Sequence, residues 1–140
     1  MNKNGEIIII EDDQDDQDLL SDVFNELKVP NRLVFFSNGE LALEYLEKND
    51  SEPFLILSDV NLPKLNGFEL REKIFSSDMP GKKSIPYIFF TTSASRESVM
   101  NAYAFSAQGF FKKPVSFNEL QAVIHSILDY WKRSYSPSDF

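Results

Sequence analysis

Short apolar runs alternate with helix-period segments five times along this chain, and few folds accept that order. Glu6 to Ile10 reads as a buried strand, and Asp15 to Leu27 as a helix with Leu20, Val23, Phe24 and Leu27 on one face. Arg32 to Phe36 reads as a strand, followed by a helix over Gly39 to Glu47 with Leu43 and Leu46 inward. Phe54 to Ser58 is a third strand. A turn punctuated by Pro63 and Gly67 then leads into a helix over Phe68 to Phe75. Tyr87 to Thr91 and Gly109 to Lys112 are the remaining strands, with a helix over Arg96 to Phe105 between them. The last helix, Phe117 to Trp131, carries Phe117, Leu120, Ile124, Ile127 and Trp131 at spacings of three and four. This order predicts an α/β fold, a parallel sheet covered by helices on both faces. Right-handed crossovers leave few topologies.

No internal repeat or low-complexity linker interrupts the pattern, and 140 residues suit one domain. Residues 4–133 are expected to form it. Residues 134–140, with Ser, Pro and Asp, are expected to be a short frayed tail rather than an output domain. The 13 Phe residues suffice to fill a core with only one Trp.

The formal net charge is −8, which argues against nucleic acid as a direct partner, because phosphate backbones need a basic surface. Apolar runs such as Ile7 to Ile10 are far too short to span a bilayer. The N-terminus has no secretory leader pattern, so a cytoplasmic location without membrane attachment is expected. The absence of Cys excludes disulfides and thiolate metal sites.

In open parallel sheets, ligands bind beyond the carboxyl ends of the strands. Glu11, Asp12 and Asp13 follow the first strand here, and Asp59 follows the third. Thr91 and Thr92 close the fourth strand, and Lys113 and Pro114 follow the fifth. Clustered carboxylates repel one another and need a cation to stay ionised together. Their hard oxygens suit Mg²⁺. An ammonium and a hydroxyl on the same rim can both donate to phosphoryl oxygens. The set suits phosphoryl transfer to a carboxylate.

Plainer readings exist for several of these residues. The run Glu11 to Asp18 holds six acids in eight residues, and Asp15 and Asp16 suit a helix N-terminus by charge alone. Its lack of the loop Gly, and the strand before it, speak against an EF-hand. Asn61-Leu62-Pro63 could be only a turn. Thr91 is a good strand residue in any case. Lys112 reads as surface charge on an edge strand. His125, the only His, reads as a helix-surface or partly packed residue.

Four segments in order, IIIIEDD from Ile7, LILSDVNLPKLNGFEL from Leu55, PYIFFTTS from Pro86 and GFFKKPV from Gly109, resemble the receiver domains of two-component response regulators. The resemblance spans nearly the whole chain. It implies a flavodoxin-like sheet of strand order 2-1-3-4-5. It also implies that Asp59 is the phosphoacceptor. Asp12 would bind Mg²⁺ directly, Glu11 through water and Asn61 through its main-chain carbonyl. Thr91 corresponds to the hydroxyl that follows the phosphoryl group, and Lys113 to the site lysine. The Lys113–Pro114 bond is expected to be cis. Phe110 occupies the aromatic switch position, where Phe, lacking a phenolic hydroxyl, can act only by packing. Thr92 stands where the family often carries a smaller residue, which bears on water access to the phosphoryl group.

NLPKLNG and the ending ILDYWK further resemble stand-alone regulators partnered with bacterial phytochrome-type histidine kinases. The partners implied are a sensor histidine kinase and a downstream protein or phosphotransfer partner in a phosphorelay. A symmetric homodimer through Arg96 to Trp131 is a further expectation, from Val123 and Tyr130 beside the core stripe. Two other functions compete. Dehalogenase-type phosphatases also use a strand-end Asp with Mg²⁺, but place an acid two residues later, where this chain has Asn61. A degenerate receiver serving only as an interaction module would not need Glu11, Asp12, Asp59, Thr91 and Lys113 together.

Overall fold

The computed structural model describes residues 1–48, 50, 52–77, 81–82 and 84–140. Strands β1 (Ile7–Ile10), β2 (Leu33–Phe36), β3 (Leu55–Ser58), β4 (Tyr87–Thr91) and β5 (Gly109–Lys112) form one parallel sheet in the order β2-β1-β3-β4-β5. Helices α1 (Gln14–Glu26), α2 (Gly39–Lys48), α3 (Gly67–Ser76), α4 (Arg96–Ala104) and α5 (Phe117–Arg133) connect and follow them. The expected fold and strand order are both present.

The period-2 alternation of a strand explains the two cores. Ile8 and Ile10 face one side, with Ile56, Phe89 and the inner residues of α2, α3 and α4. Ile7 and Ile9 face the other, with Leu57, Phe90, and Leu20, Val23 and Phe24 of α1 and Leu120 and Ile124 of α5. Helices on both faces are why β1 is apolar at every position. Each fully buried side chain of this kind contributes about 1.5–3 kcal/mol.

Helix starts are set by side-chain caps rather than by apolar period. Asp13 accepts from the main-chain N–H groups of Asp15 (2.8 Å) and Asp16 (3.4 Å), so α1 begins at Gln14. Asn66 and Glu69 form a capping box that starts α3 at Gly67. That position must be glycine, because a Cβ there would collide with the Asp59 carbonyl oxygen.

Two expectations for the C-terminal part need correction. Phe117 is at the first position of α5, a turn ahead of the first core contact at Leu120, and is exposed; Leu128 joins the stripe instead. The tail is not frayed. Residues Pro137–Asp139 form a 3₁₀ turn, and the Met1 nitrogen donates to Ser136 Oγ (3.1 Å) and Asp139 Oδ1 (2.7 Å).

Candidate functional site

The strand ladder runs on past the strands and fixes the site's main chain. The Glu11 N–H donates to Phe36 O (2.9 Å), the Asp59 N–H to Ile10 O (3.0 Å) and the Lys113 N–H to Thr91 O (2.6 Å). Three residues far apart in sequence are thereby anchored at one rim. Carboxylate oxygens of Glu11, Asp12 and Asp59 lie within 4.8 Å of one another. Glu11 and Asp59 are buried and Asp12 is exposed, so the cluster opens to solvent on one side. Oxygen donors from carboxylates at this spacing fit a hard divalent cation.

Lys113 is the counter-charge. Its Nζ reaches Glu11 Oε2 at 2.8 Å, Asp16 Oδ2 at 3.3 Å and Asp59 Oδ2 at 3.5 Å. Asp59 Oδ1 accepts from the N–H of Val60 (2.7 Å) and of Asn61 (3.4 Å). Asn61 thus sits on the Asp59 loop with its side chain exposed. Thr91 is fully buried and lies close enough to Asp59 to help hold it ionised, yet its Oγ1 completes no hydrogen bond within the described residues. A buried hydroxyl left without a partner is costly unless a group arrives to accept from it.

Burial and the adjacent Asp59 push the Glu11 carboxyl up to about 8, against the pull of Lys113. Burial pushes Asp59 the same way. The Glu11 hydrogen bond, Lys113 and the Val60 N–H outweigh it and hold Asp59 below the usual carboxylate range. Two buried carboxyls side by side thus share a proton at neutral pH when only Lys113 compensates them. Burial disfavours the charge on Lys113 too, but Glu11, Asp59 and Asp16 raise it overall.

A family model for the response regulator receiver domain matches residues 7–125. The chain is a response regulator receiver domain. It is 30% identical over 129 residues to the probable methanogenesis regulatory protein FilR2 of Methanothrix harundinacea, covering 89% of this chain and 82% of that protein. It is 28% identical over 130 residues to response regulator Rcp1 of Synechocystis, covering 89% of this chain and 87% of that one. The crystal structure of phosphorylated RcpA, a cyanobacterial phytochrome response regulator, superposes with a TM-score of 0.84 at 28% identity, over 95% of this chain and 97% of that one. Rcp1 has itself been solved in a Mn²⁺-bound form. Receiver domains are signalling proteins rather than classical enzymes, and neither the phosphatase nor the degenerate reading is favoured for this one. Among the described residues, no helix is long and apolar enough to cross a membrane.

The receiver's rim brings together Glu11, Asp12, Asp59, Asn61, Thr91 and Lys113. Thr92 is exposed and lines a cavity of about 280 Å³ with Lys113, Pro114, Val115 and Asp16. Phe110 is half-buried and packs on Phe89, with ring centroids 5.9 Å apart. One expectation is overturned: no peptide bond among the described residues is cis, so the bond before Pro114 is trans. The trans form is favoured even at X–Pro bonds, by about 0.5–1 kcal/mol. Lys113 reaches Glu11, Asp16 and Asp59 from the trans chain.

Sequence reading did not connect Asp16 to the site, since an acid in the first turn of a helix is explained by the helix dipole alone. Its spacing offered a signal. Asp16 and Leu20 are four apart, hence on one face of α1, and Leu20 is core.

Proposed function

We propose that this receiver accepts a phosphoryl group on Asp59. The observation that carries the reading is the Thr91 hydroxyl, buried near Asp59 with no completed hydrogen bond among the described residues, together with an ammonium that also reaches Asp59. An Asp59 oxygen attacks phosphorus, and the bond from phosphorus to the donor's leaving atom breaks. That bond is P–N in a phosphohistidine and P–O in acetyl phosphate. The leaving group departs with the electron pair. Thr91 Oγ1 and Lys113 Nζ then donate to the phosphoryl oxygens. Glu11, Asp12, Asp59 and the Asn61 carbonyl would hold Mg²⁺, which neutralises charge on the phosphoryl oxygens when bound. The Asp59 loop is held by its own N–H donors, so the acceptor is preoriented. Water attack on the acyl phosphate would reach it past Thr92, so self-dephosphorylation is expected to be slow.

The donor is a sensor histidine kinase, in a cytoplasmic setting. The likeness to RcpA favours a kinase of the phytochrome type. When Thr91 turns to the phosphoryl group, it vacates space into which Phe110 can repack. That movement reaches the face of α4, β5 and α5, where Tyr103, Phe110, Phe111, Tyr130 and Trp131 line a hollow of about 380 Å³. A downstream protein, a phosphotransfer partner or a second copy would read that face. Sedimentation with and without phosphodonor separates the last of these from the others.

The test of the acceptor uses acetyl phosphate with Mg²⁺. The parent is expected to gain one phosphoryl group, and Asp59→Asn none while keeping its fold by circular dichroism. A folded Asp59→Asn protein that labelled like the parent would refute the assignment.

A further inference from the structure

Lys113 has three carboxylate partners, and they differ in kind. Glu11 and Asp59 belong to the cluster whose oxygens lie within 4.8 Å of one another; Asp16 does not. Asp16 comes from the first turn of α1, where the Asp13 cap fixes its main chain. Its side chain is one-third exposed and faces the cavity lined by Thr92, Pro114 and Val115. A divalent cation and Lys113 together balance the charges of Glu11, Asp12 and Asp59, which leaves Asp16 as surplus negative charge at the rim. Once Asp59 carries a phosphoryl group and a cation occupies the cluster, Asp16 is the partner still competing for the ammonium.

We propose that Asp16 is a positioning residue for phosphotransfer, pairing with Lys113 so as to withhold that ammonium from the phosphoryl group and raise the barrier against small anionic donors. This rests on the reading of Asp59 as acceptor. In the reaction with acetyl phosphate, an Asp59 oxygen bonds to phosphorus, the P–O bond to acetate breaks, and acetate leaves with the electron pair; no proton moves. Charge accumulates on the phosphoryl oxygens, where Lys113 is needed and Asp16 repels. A cognate kinase can offset that repulsion with its own docking contacts, whereas a small donor cannot.

Initial labelling rates of parent, Asp16→Asn, Asp16→Glu and Asp18→Asn, measured at low and high salt, test this. Acetyl phosphate is compared with phosphoramidate, a less negatively charged donor. Asp18 is exposed and, among the described residues, accepts only from Gln14, so it controls for net charge. Asp16→Asn should label about three- to tenfold faster with acetyl phosphate at low salt, less so with phosphoramidate, and the gain should shrink as salt rises. Asp16→Glu and Asp18→Asn should stay near the parent. In the cation-free protein, NMR should show faster exchange of the Lys113 ammonium protons in Asp16→Asn. If Asp16→Asn matches Asp18→Asn, or labels more slowly than the parent, the inference is overturned while the acceptor reading stands. A parent that takes no label at Asp59 overturns both.

Discussion

Lys113, just after β5, and Arg71, on α3, are both largely withdrawn from solvent, yet they are held in opposite ways. Lys113 sits among three carboxylates. Arg71 on α3 is fully buried and touches no carboxylate among the described residues. Its Nε donates to Phe105 O (3.0 Å) and an Nη to Ser106 O (2.8 Å), and the guanidinium lies over the rings of Phe75 (5.3 Å) and Tyr87 (5.4 Å). Main-chain carbonyls at the end of α4 cannot be neutralised or recruited elsewhere, so Arg71 is a fixed clamp between α3 and the start of the loop into β5. Carboxylates can be claimed by a metal ion or phosphorylated, so Lys113 is held by partners it can lose. The difference teaches that a buried charge is structural or mobile according to whether its partners have other chemistry to do.

The largest effect expected from breaking this contrast is on stability at Arg71. Arg71→Ala removes two charge-assisted hydrogen bonds and leaves a void against Tyr87, costing about 3–4 kcal/mol. Urea unfolding measures it, and the folded fraction should still label with acetyl phosphate. Next comes Lys113→Met. Labelling should fall about 100-fold, as for loss of a donor aimed at developing charge. Its stability cost below neutral pH should be smaller than that of Arg71→Ala, because Glu11 and Asp59 can take up a proton in place of the lost ammonium.

A smaller effect sharpens the picture through pH. Glu11 is raised from 4.5 to about 8 in the folded protein. A raised folded value stabilises the protonated form, so this contribution is complete below pH 4.5 and is lost as pH rises through about 8. Asp59, held low, acts in the opposite sense and loses its contribution as pH falls through its folded value, so the window above 4.5 belongs to Glu11. A cation needs Glu11 ionised. Mg²⁺ binding below about pH 8 should therefore release a proton, with affinity rising up to about tenfold per pH unit. Titration in two buffers of different ionisation enthalpy counts the protons; a count of zero at pH 6.5 would contradict the account.

The fold was legible because β1, β3 and β4 are apolar at nearly every position between helical segments, which only a sheet covered on both faces explains. The candidate site was legible because carboxylates follow β1 and β3, a hydroxyl closes β4 and a lysine follows β5. Arg71 was not legible, since an Arg between Leu70 and Glu72 on a helix reads as surface; its burial depends on where α4 ends. Asp16 was hidden by the helix dipole, and the exposure of Phe117 by a spacing that fits the core stripe but starts a turn too early. The tail's link to Met1 joins chain ends whose proximity only the folded sheet sets.

The most direct test of the contrast is a crystal structure with Mg²⁺ and beryllofluoride, a stable stand-in for the phosphoryl group. Lys113 Nζ is expected to leave Asp16 for the fluorides on Asp59, and Thr91 Oγ1 to gain its missing partner there, while Arg71 keeps both carbonyls. Beryllofluoride on Asp59 with Lys113 still on Asp16 and Thr91 still unpartnered would contradict it.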